Sequence, residues 1–253
     1  MLPLLALLLT LPACGGADRS DVGPESRTIT LAAASSLRHV LPLLVDDWRT
    51  QRPEVRVQIS YGGSGTLRQQ VEAGAPIDAV IFAAPEPVDR LIERGRVTAG
   101  SRRVLATNDL VLVAPAASSN AWTFATLTDL PADERLAMGQ PDTVPAGRYA
   151  EQALRDLGSW DALADRRVTG GDVATVLTWA RRGEAAAAIV YGTEARGVDA
   201  VRVLDRADWA GAPRPQVVAG VVVDGDPAAA DFLAYVAGPE AALRWVDAGF
   251  GAP

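Results

Sequence analysis

The chain has 253 residues, 49% of them hydrophobic and 22% charged, which is the composition of a folded protein with a sizeable core. Its net charge of −7 argues against an extended basic surface, so no nucleic-acid partner is expected. One histidine and one cysteine are too few for a zinc site built from imidazole and thiolate ligands, and we expect no cofactor.

The N-terminal residues predict an export signal followed by a tether. An apolar run too short to span a bilayer ends at Cys14, the only cysteine. The stretch Leu11-Pro12-Ala13-Cys14 resembles the lipobox of bacterial lipoproteins, which implies a signal peptide over 1–13 and a lipidated Cys14. Residues 14–27 are then a flexible tether. A cysteine buried in a core helix is the alternative.

Strand-like and helix-like patterns alternate from Thr28 onwards, which is typical of an α/β fold with mostly parallel strands. The first helix contains Pro42, which must kink it or delay its start. The next is ended by Gly74 at the position after its last turn. The strands are predicted at 28–33, 55–61 and 77–83, and the helices at 37–48, 67–73 and 88–93.

Two long extended runs predict a division into two lobes. The run 104–115 carries the chain out of the first lobe, and 216–223 brings it back. Asp226-Pro227 then caps the first of two closing helices, whose predicted apolar residues are Leu233, Val236, Leu243 and Val246. The first lobe comprises 28–110 plus 217–253. The second lobe, 111–216, has strands predicted at 135–139 and 187–191 and helices at 146–157 and 173–182.

Several turns rich in hydrogen-bond donors lie where a strand gives way to a helix. Each of them has a plain structural explanation, since serine and aspartate cap helices and glycine makes turns. Ligands in open α/β sheets bind beyond the carboxyl ends of strands, where such turns converge. The sequence of the four turns is ASSL at 34–37, GGSG at 62–65, VPAG at 144–147 and GGDV at 170–173, and a tyrosine ends the strand at VYG, 190–192.

An enzymatic function has little support in the residues, and we expect none. His39 follows Ser36 by three residues, but no carboxylate is placed to orient it, so a surface histidine is the better interpretation. GGSGT also lacks the lysine of a nucleotide-binding loop. A histidine or carboxylate within hydrogen-bond reach of Ser36 or Ser64 would favour an envelope hydrolase instead.

The segments ITLAAASSL, GGSGTLRQQVEAGAPIDAVIFAA, VLVAP, MGQPDTVPAGRYAEQALRDLGSWDAL, GGDVATVL and AIVYGTEA closely resemble, in this order, the periplasmic molybdate-binding proteins of ABC transporters. The similarity extends from Thr28 to the C-terminus. It implies a class II periplasmic binding protein-like α/β fold, with two mostly parallel sheets flanked by helices and hinge crossings near 108–116 and 214–220.

The resemblance also implies a site that holds one tetrahedral oxyanion without counter-charge. Matched motif by motif, the ligands are the hydroxyls of Ser36, Ser64 and Tyr191 and the amides of Ala146 and Val173. Ser35 stays an alternative to Ser36. Gly63 stands where some relatives carry another serine.

The expected ligand is molybdate or tungstate, with sulfate or another oxyanion as the alternative. A dianion needs only donors, whereas part-protonated phosphate would leave its own O–H unpaired in a donor-only pocket. The resemblance implies delivery to a membrane permease with a cytoplasmic ATPase. It also implies a monomer in the cell envelope, held to the membrane only by its lipid anchor, in the periplasm or on the outer face of the cytoplasmic membrane.

Overall fold

The computed structural model describes residues 27–253, which form two five-stranded sheets. The predicted signal peptide, Cys14 and almost all of the predicted tether lie outside the described residues. Strands and helices are numbered in chain order. The strands of the first sheet are, in spatial order, β2 (Val55–Gly62), β1 (Arg27–Ala34), β3 (Ala79–Phe82), β10 (Gln216–Val221) and β4 (Arg103–Thr107).

The second sheet is built from the middle of the chain. In each sheet four of the five strands run in the same direction, and β10 or β5 is the reversed strand. The mostly parallel sheets predicted from the sequence are therefore confirmed. The spatial order of the second sheet is β7 (Arg167–Gly170), β6 (Leu136–Gly139), β8 (Ala187–Tyr191), β5 (Leu110–Pro115) and β9 (Val201–Arg206).

Helices flank both sheets and make each of them one lobe. The helices of the first lobe are α1 (Leu41–Gln51), α2 (Ser64–Glu72), α3 (Pro85–Glu93), α7 (Pro227–Val236) and α8 (Pro239–Asp247), and those of the second are α4 (Pro145–Asp156), α5 (Val173–Arg181) and the one-turn α6 (Gly192–Ala195). Within residues 27–253, no helix is both long and apolar enough to cross a bilayer.

Local sequence signals explain where most helices begin and end. Pro42 delays the start of α1, which begins at Leu41 after a 3₁₀ turn, Ser35–Leu37. Gly74, with φ of 85°, ends α2 as predicted. Asp226 caps α7 by accepting a 2.8 Å hydrogen bond from the amide of Ala228.

The predicted buried face of α8 is wrong. Leu243 and Val246 are exposed, at 73% and 58%, and the helix instead buries Ala241 and Trp245. The Trp245 ring packs edge-on against Phe250 at 5.2 Å between centroids. An aromatic side chain thus fixes the rotation of α8 more strongly than the aliphatic spacing does.

The chain crosses between the sheets at two adjacent places. Asn108 and Asp109 connect β4 to β5, and residues 207–215 connect β9 to β10. The amide of Asn108 donates a 2.9 Å hydrogen bond to the carbonyl of Pro215, so the two crossings lie side by side. Paired short crossings of this kind are the usual hinges of two-lobed proteins.

Candidate functional site

A small cavity lies between the two lobes, beyond the carboxyl ends of the parallel strands. Strands β1, β2 and β3 lead into it from the first lobe, and β6, β7 and β8 from the second. This is where open α/β sheets place their ligands. The residues that line it are Ala34, Ser35, Ser36, Gly62, Gly63, Ser64, Ala83, Val144, Pro145, Ala146, Val173 and Tyr191.

All five site residues predicted from the sequence line this one cavity, although they are spread over some 150 positions of the chain. Ser35 lines it as well and is as buried as Ser36, at 4% exposure each, so the geometry leaves both candidates in place. None of the lining residues carries a charge. Any ion bound here is therefore contacted by hydroxyl and backbone groups.

Ala83 is a lining residue that the sequence reasoning missed. Its amide donates a 3.3 Å hydrogen bond to Ser64 Oγ, and its carbonyl accepts a 3.2 Å hydrogen bond from the hydroxyl of Tyr191. Because Ala83 takes part through its backbone, its side chain gives no polar signal. The only available signal was its place at the carboxyl end of a buried strand, β3.

The Tyr191 hydroxyl joins the two lobes, since Ala83 follows β3 and Tyr191 ends β8. Burial is the main cause that raises the pKa of Tyr191 well above its ordinary value, with Tyr149 and Glu194 adding to the effect. The hydroxyl therefore stays protonated at neutral pH. It has one proton to donate, so contact with an anion requires it to leave the Ala83 carbonyl.

Three helices begin at the cavity. Ser64 is the first residue of α2, Ala146 the second of α4 and Val173 the first of α5. Amides in the first turn of a helix have no intrahelical acceptor, and the helix dipole makes this end electropositive. The cavity is thus provided with N–H donors and partial positive charge, an arrangement suited to an anion.

The lobes are in close contact around the cavity. The amide of Gly65, on α2, donates a 2.9 Å hydrogen bond to the carbonyl of Thr143 in the second lobe. A Cβ atom on Gly65 would lie 2.7 Å from that oxygen, and one on Gly63 would lie 2.9 Å from the carbonyl oxygen of Gly171. Both glycines are needed for the approach of the two backbones, which is a role beyond turn formation.

Among the described residues, one ion pair bridges the lobes between α3 and α4. Arg148 Nη1, on α4, lies 2.5 Å from Glu86 Oε2, on α3. Both side chains are more than a third exposed, so this pair contributes at most about 1 kcal/mol to closure.

The model of the family described as bacterial extracellular solute-binding proteins matches residues 29–251. The chain belongs to this family. It is 36% identical over 232 residues to the molybdate-binding protein ModA of Haemophilus influenzae, covering 90% of this chain and 91% of that protein. It is 37% identical over 180 residues to the ModA of Escherichia coli, covering 70% of each.

A solved structure supports the fold of this solute-binding protein independently. The periplasmic molybdate-binding protein of Azotobacter vinelandii superposes with a TM-score of 0.75 over 89% of this chain and 99% of that one. The two sequences are 22% identical, so the likeness concerns the fold. The two-lobed architecture inferred from the sequence is confirmed.

The hydrolase alternative finds no support in the geometry of this solute-binding protein. His39 is exposed and is not among the residues that line the cavity. Over 27–253, the hydrogen bonds of Ser35, Ser36 and Ser64 include none to a histidine or a carboxylate, and Ser64 Oγ is bonded to a backbone amide. Over the same residues, no cluster of three or more His, Cys, Asp or Glu side chains is placed to hold a metal ion.

Proposed function

We propose that this solute-binding protein binds molybdate in the interlobe cavity and delivers it to an ABC permease. The observation that carries the proposal is the lining of the cavity, which combines serine and tyrosine hydroxyls with helix N-termini and contains no charged residue. The two relatives at 36% and 37% identity, both named as molybdate-binding, support the same ligand. Tungstate, which has the same charge and shape, is proposed as a second ligand.

The proposed ligand contacts are the hydroxyls of Ser36 (or Ser35), Ser64 and Tyr191 and the amides of Ala146 and Val173. A fully deprotonated dianion accepts hydrogen bonds from all of them and has no proton of its own to place. Phosphate retains a proton near neutral pH, and leaving that O–H without an acceptor costs roughly 1–3 kcal/mol.

Calorimetric titration with molybdate, tungstate, sulfate and phosphate tests the proposed function. We expect strong binding of molybdate and tungstate and much weaker binding of phosphate. Sulfate is unprotonated too, so size alone discriminates against it. Strong binding of sulfate with weak binding of molybdate would make the chain a sulfate-binding protein instead.

Ser64→Ala is expected to weaken molybdate binding by roughly 1.5–3 kcal/mol, because it removes a charge-assisted hydrogen bond and leaves the Ala83 amide without an acceptor. Calorimetry on the variant measures the change. Ser119→Ala is the matched control, since Ser119 is exposed and does not line the cavity. Wild-type affinity in Ser64→Ala would remove Ser64 from the site.

Ser35→Ala and Ser36→Ala together decide between the two candidate serines. We expect Ser36→Ala to weaken molybdate binding by roughly 1.5–3 kcal/mol and Ser35→Ala to have the smaller effect. The same titrations measure both. A larger loss in Ser35→Ala would assign the contact to Ser35.

Molybdate is expected to stabilise the folded protein by about 2.7 kcal/mol at a hundredfold excess over its dissociation constant. Thermal unfolding with and without molybdate measures this. Equal concentrations of sodium chloride are the control for ionic strength. An unchanged melting temperature at saturating molybdate would contradict binding to the native state.

We also propose that the protein works at the cell envelope as a monomer, as a lipoprotein whose Cys14 carries the anchor and whose tether ends where β1 begins at Arg27. The lipobox-like Leu11-Pro12-Ala13-Cys14 supports the anchor. Labelling of expressing cells with a radioactive fatty acid tests it, and Cys14→Ser should abolish the label. The proposed partner is the permease with its ATPase.

A further inference from the structure

Glu194 is a buried carboxyl group that the proposed binding contacts do not use. It lies on α6, three residues after Tyr191, and is 4% exposed. Its Oε1 atom is buried and has no hydrogen-bond partner among the described residues. A buried polar atom without a partner is costly, and such groups are uncommon in native proteins.

The charges that act on Glu194 come from both lobes. Asp172, the N-cap of α5 beside Val173, disfavours its ionised form, and Arg38 from the first lobe favours it. The Glu194 carboxylate in turn disfavours ionisation of Tyr191, which lines the cavity. Glu194 therefore interacts electrostatically with Tyr191 in the cavity lining and with Asp172 next to that lining.

The remaining titratable groups around α6 are engaged elsewhere or exposed. Strand β5 carries none, and on β9 three such residues have other partners. Arg206 pairs with Asp109 at 2.7 Å, and Asp205 accepts from the amide of Phe124. Arg202 bonds to two backbone carbonyls, those of Ser118 and Asn120. On the first-lobe side, His39 is exposed in a groove that it shares with Thr193.

Burial and the Asp172 charge raise the pKa of Glu194 to about 7 from an ordinary value of 4.5, against the smaller opposing effect of Arg38. A dianion held by Tyr191 and Val173 would add negative charge on the side of Tyr191 and Asp172. This added charge disfavours the ionised form of Glu194 further, so the protonated fraction of Glu194 increases when the dianion binds.

We propose that Glu194 is a proton-binding group coupled to the oxyanion site, and that the protein takes up a proton at this carboxyl when it closes on a dianion. The inference rests on the proposed function, because it requires an anion in the interlobe cavity. The proposal adds a dependence of molybdate affinity on pH, which the set of hydrogen-bond donors alone does not predict.

The sign of the linkage follows from the proton count. Because the bound form holds more protons than the free form, the dissociation constant rises with pH, at most about tenfold per unit for one linked proton. The rise is expected to begin near pH 7, where Glu194 of the ligand-free protein titrates, and to continue up to the higher pKa of the bound form. Molybdate itself is already unprotonated in this range and contributes nothing to it.

The test is calorimetric titration with sodium molybdate at pH 7 in PIPES and in imidazole, which differ in ionisation enthalpy. The difference in apparent binding enthalpy gives the number of protons taken up. Glu194→Gln keeps the shape of the side chain and cannot ionise. Glu93→Gln is the matched control, since Glu93 is exposed at the end of α3, and His39→Gln tests the nearby imidazole.

Wild type, Glu93→Gln and His39→Gln are expected to take up the same fraction of a proton, and Glu194→Gln to bind molybdate with none. Equal uptake in Glu194→Gln, or molybdate binding by wild type without uptake and with a pH-independent dissociation constant, would overturn the linkage alone. No binding of molybdate by wild type would overturn the proposed function and the linkage with it. The wild-type measurements decide even where the variant does not fold.

Discussion

Gly65→Ala is expected to weaken molybdate binding by about 2–4 kcal/mol while the ligand-free protein stays as stable as wild type. A Cβ at this position lies 2.7 Å from the carbonyl oxygen of Thr143 and 2.8 Å from its Cα. Both are backbone atoms of the opposite lobe, which cannot rotate away. Overpacking of this kind costs roughly 1–3 kcal/mol, and the lost hydrogen bond to Thr143 costs about 1 kcal/mol more.

The two effects of Gly65→Ala separate closure from folding. Gly65 is the second residue of α2, where alanine is the better helix former, so the open protein should unfold at the same or a slightly higher temperature. Calorimetry and thermal unfolding measure the two quantities. Gly100→Ala is the control, because nothing lies within 4 Å of its Cβ. Wild-type affinity in Gly65→Ala would show that the lobes do not meet at this contact when the ligand binds.

Glu194→Gln is expected to raise the free energy of unfolding at pH 8 by up to about 3 kcal/mol. The pKa of Glu194 rises from 4.5 to about 7 on folding, and each unit corresponds to about 1.4 kcal/mol. Because the folded pKa is the higher one, the group favours folding below pH 4.5. This contribution is lost as the pH rises through 7, where the folded protein must bury a carboxylate.

Urea unfolding of wild type and Glu194→Gln at pH 5 and pH 8 measures this effect. The free energy of unfolding of Glu194→Gln, relative to that of wild type, should increase from pH 5 to pH 8. Glu93→Gln alters an exposed carboxylate, so its free energy of unfolding should equal that of wild type at both pH values. A constant difference between Glu194→Gln and wild type across this range would mean that Glu194 titrates alike in both states.

The fold was predictable from the sequence wherever buried elements carry clear signals. Strands β3 and β8 are continuous apolar runs, β1 ends in one, and α7 has its Asp-Pro start, so pattern and caps identify them. Strands β7 and β9 were missed because they are the edge strands of the second sheet. They are only partly buried, so their sequences lack a continuous apolar run. For α8, the edge-on packing of Trp245 against Phe250 decided the buried face.

The site was predictable only in part, for a different reason. Hydroxyl side chains and glycine-rich turns can be recognised in the sequence as possible hydrogen-bond donors. The resemblance to molybdate-binding proteins then indicated which of them form the ligand set. The contribution of Ala83 is made by its backbone, and the need for Gly65 depends on Thr143, which lies 78 residues away in the chain. The burial of Glu194 follows from packing between α5, β5 and β9, which no local pattern encodes.

In the proposed complex, neutral donors of both lobes surround one molybdate ion. A crystal structure of the molybdate complex, with anomalous data collected at the molybdenum edge, would locate the ion and its protein ligands. We expect a single peak in the interlobe cavity, with the oxygens of the ion in hydrogen-bond contact with Ser64 and Tyr191 and with the amides of Ala146 and Val173. A peak outside this cavity, or an arginine side chain in contact with the ion, would contradict it.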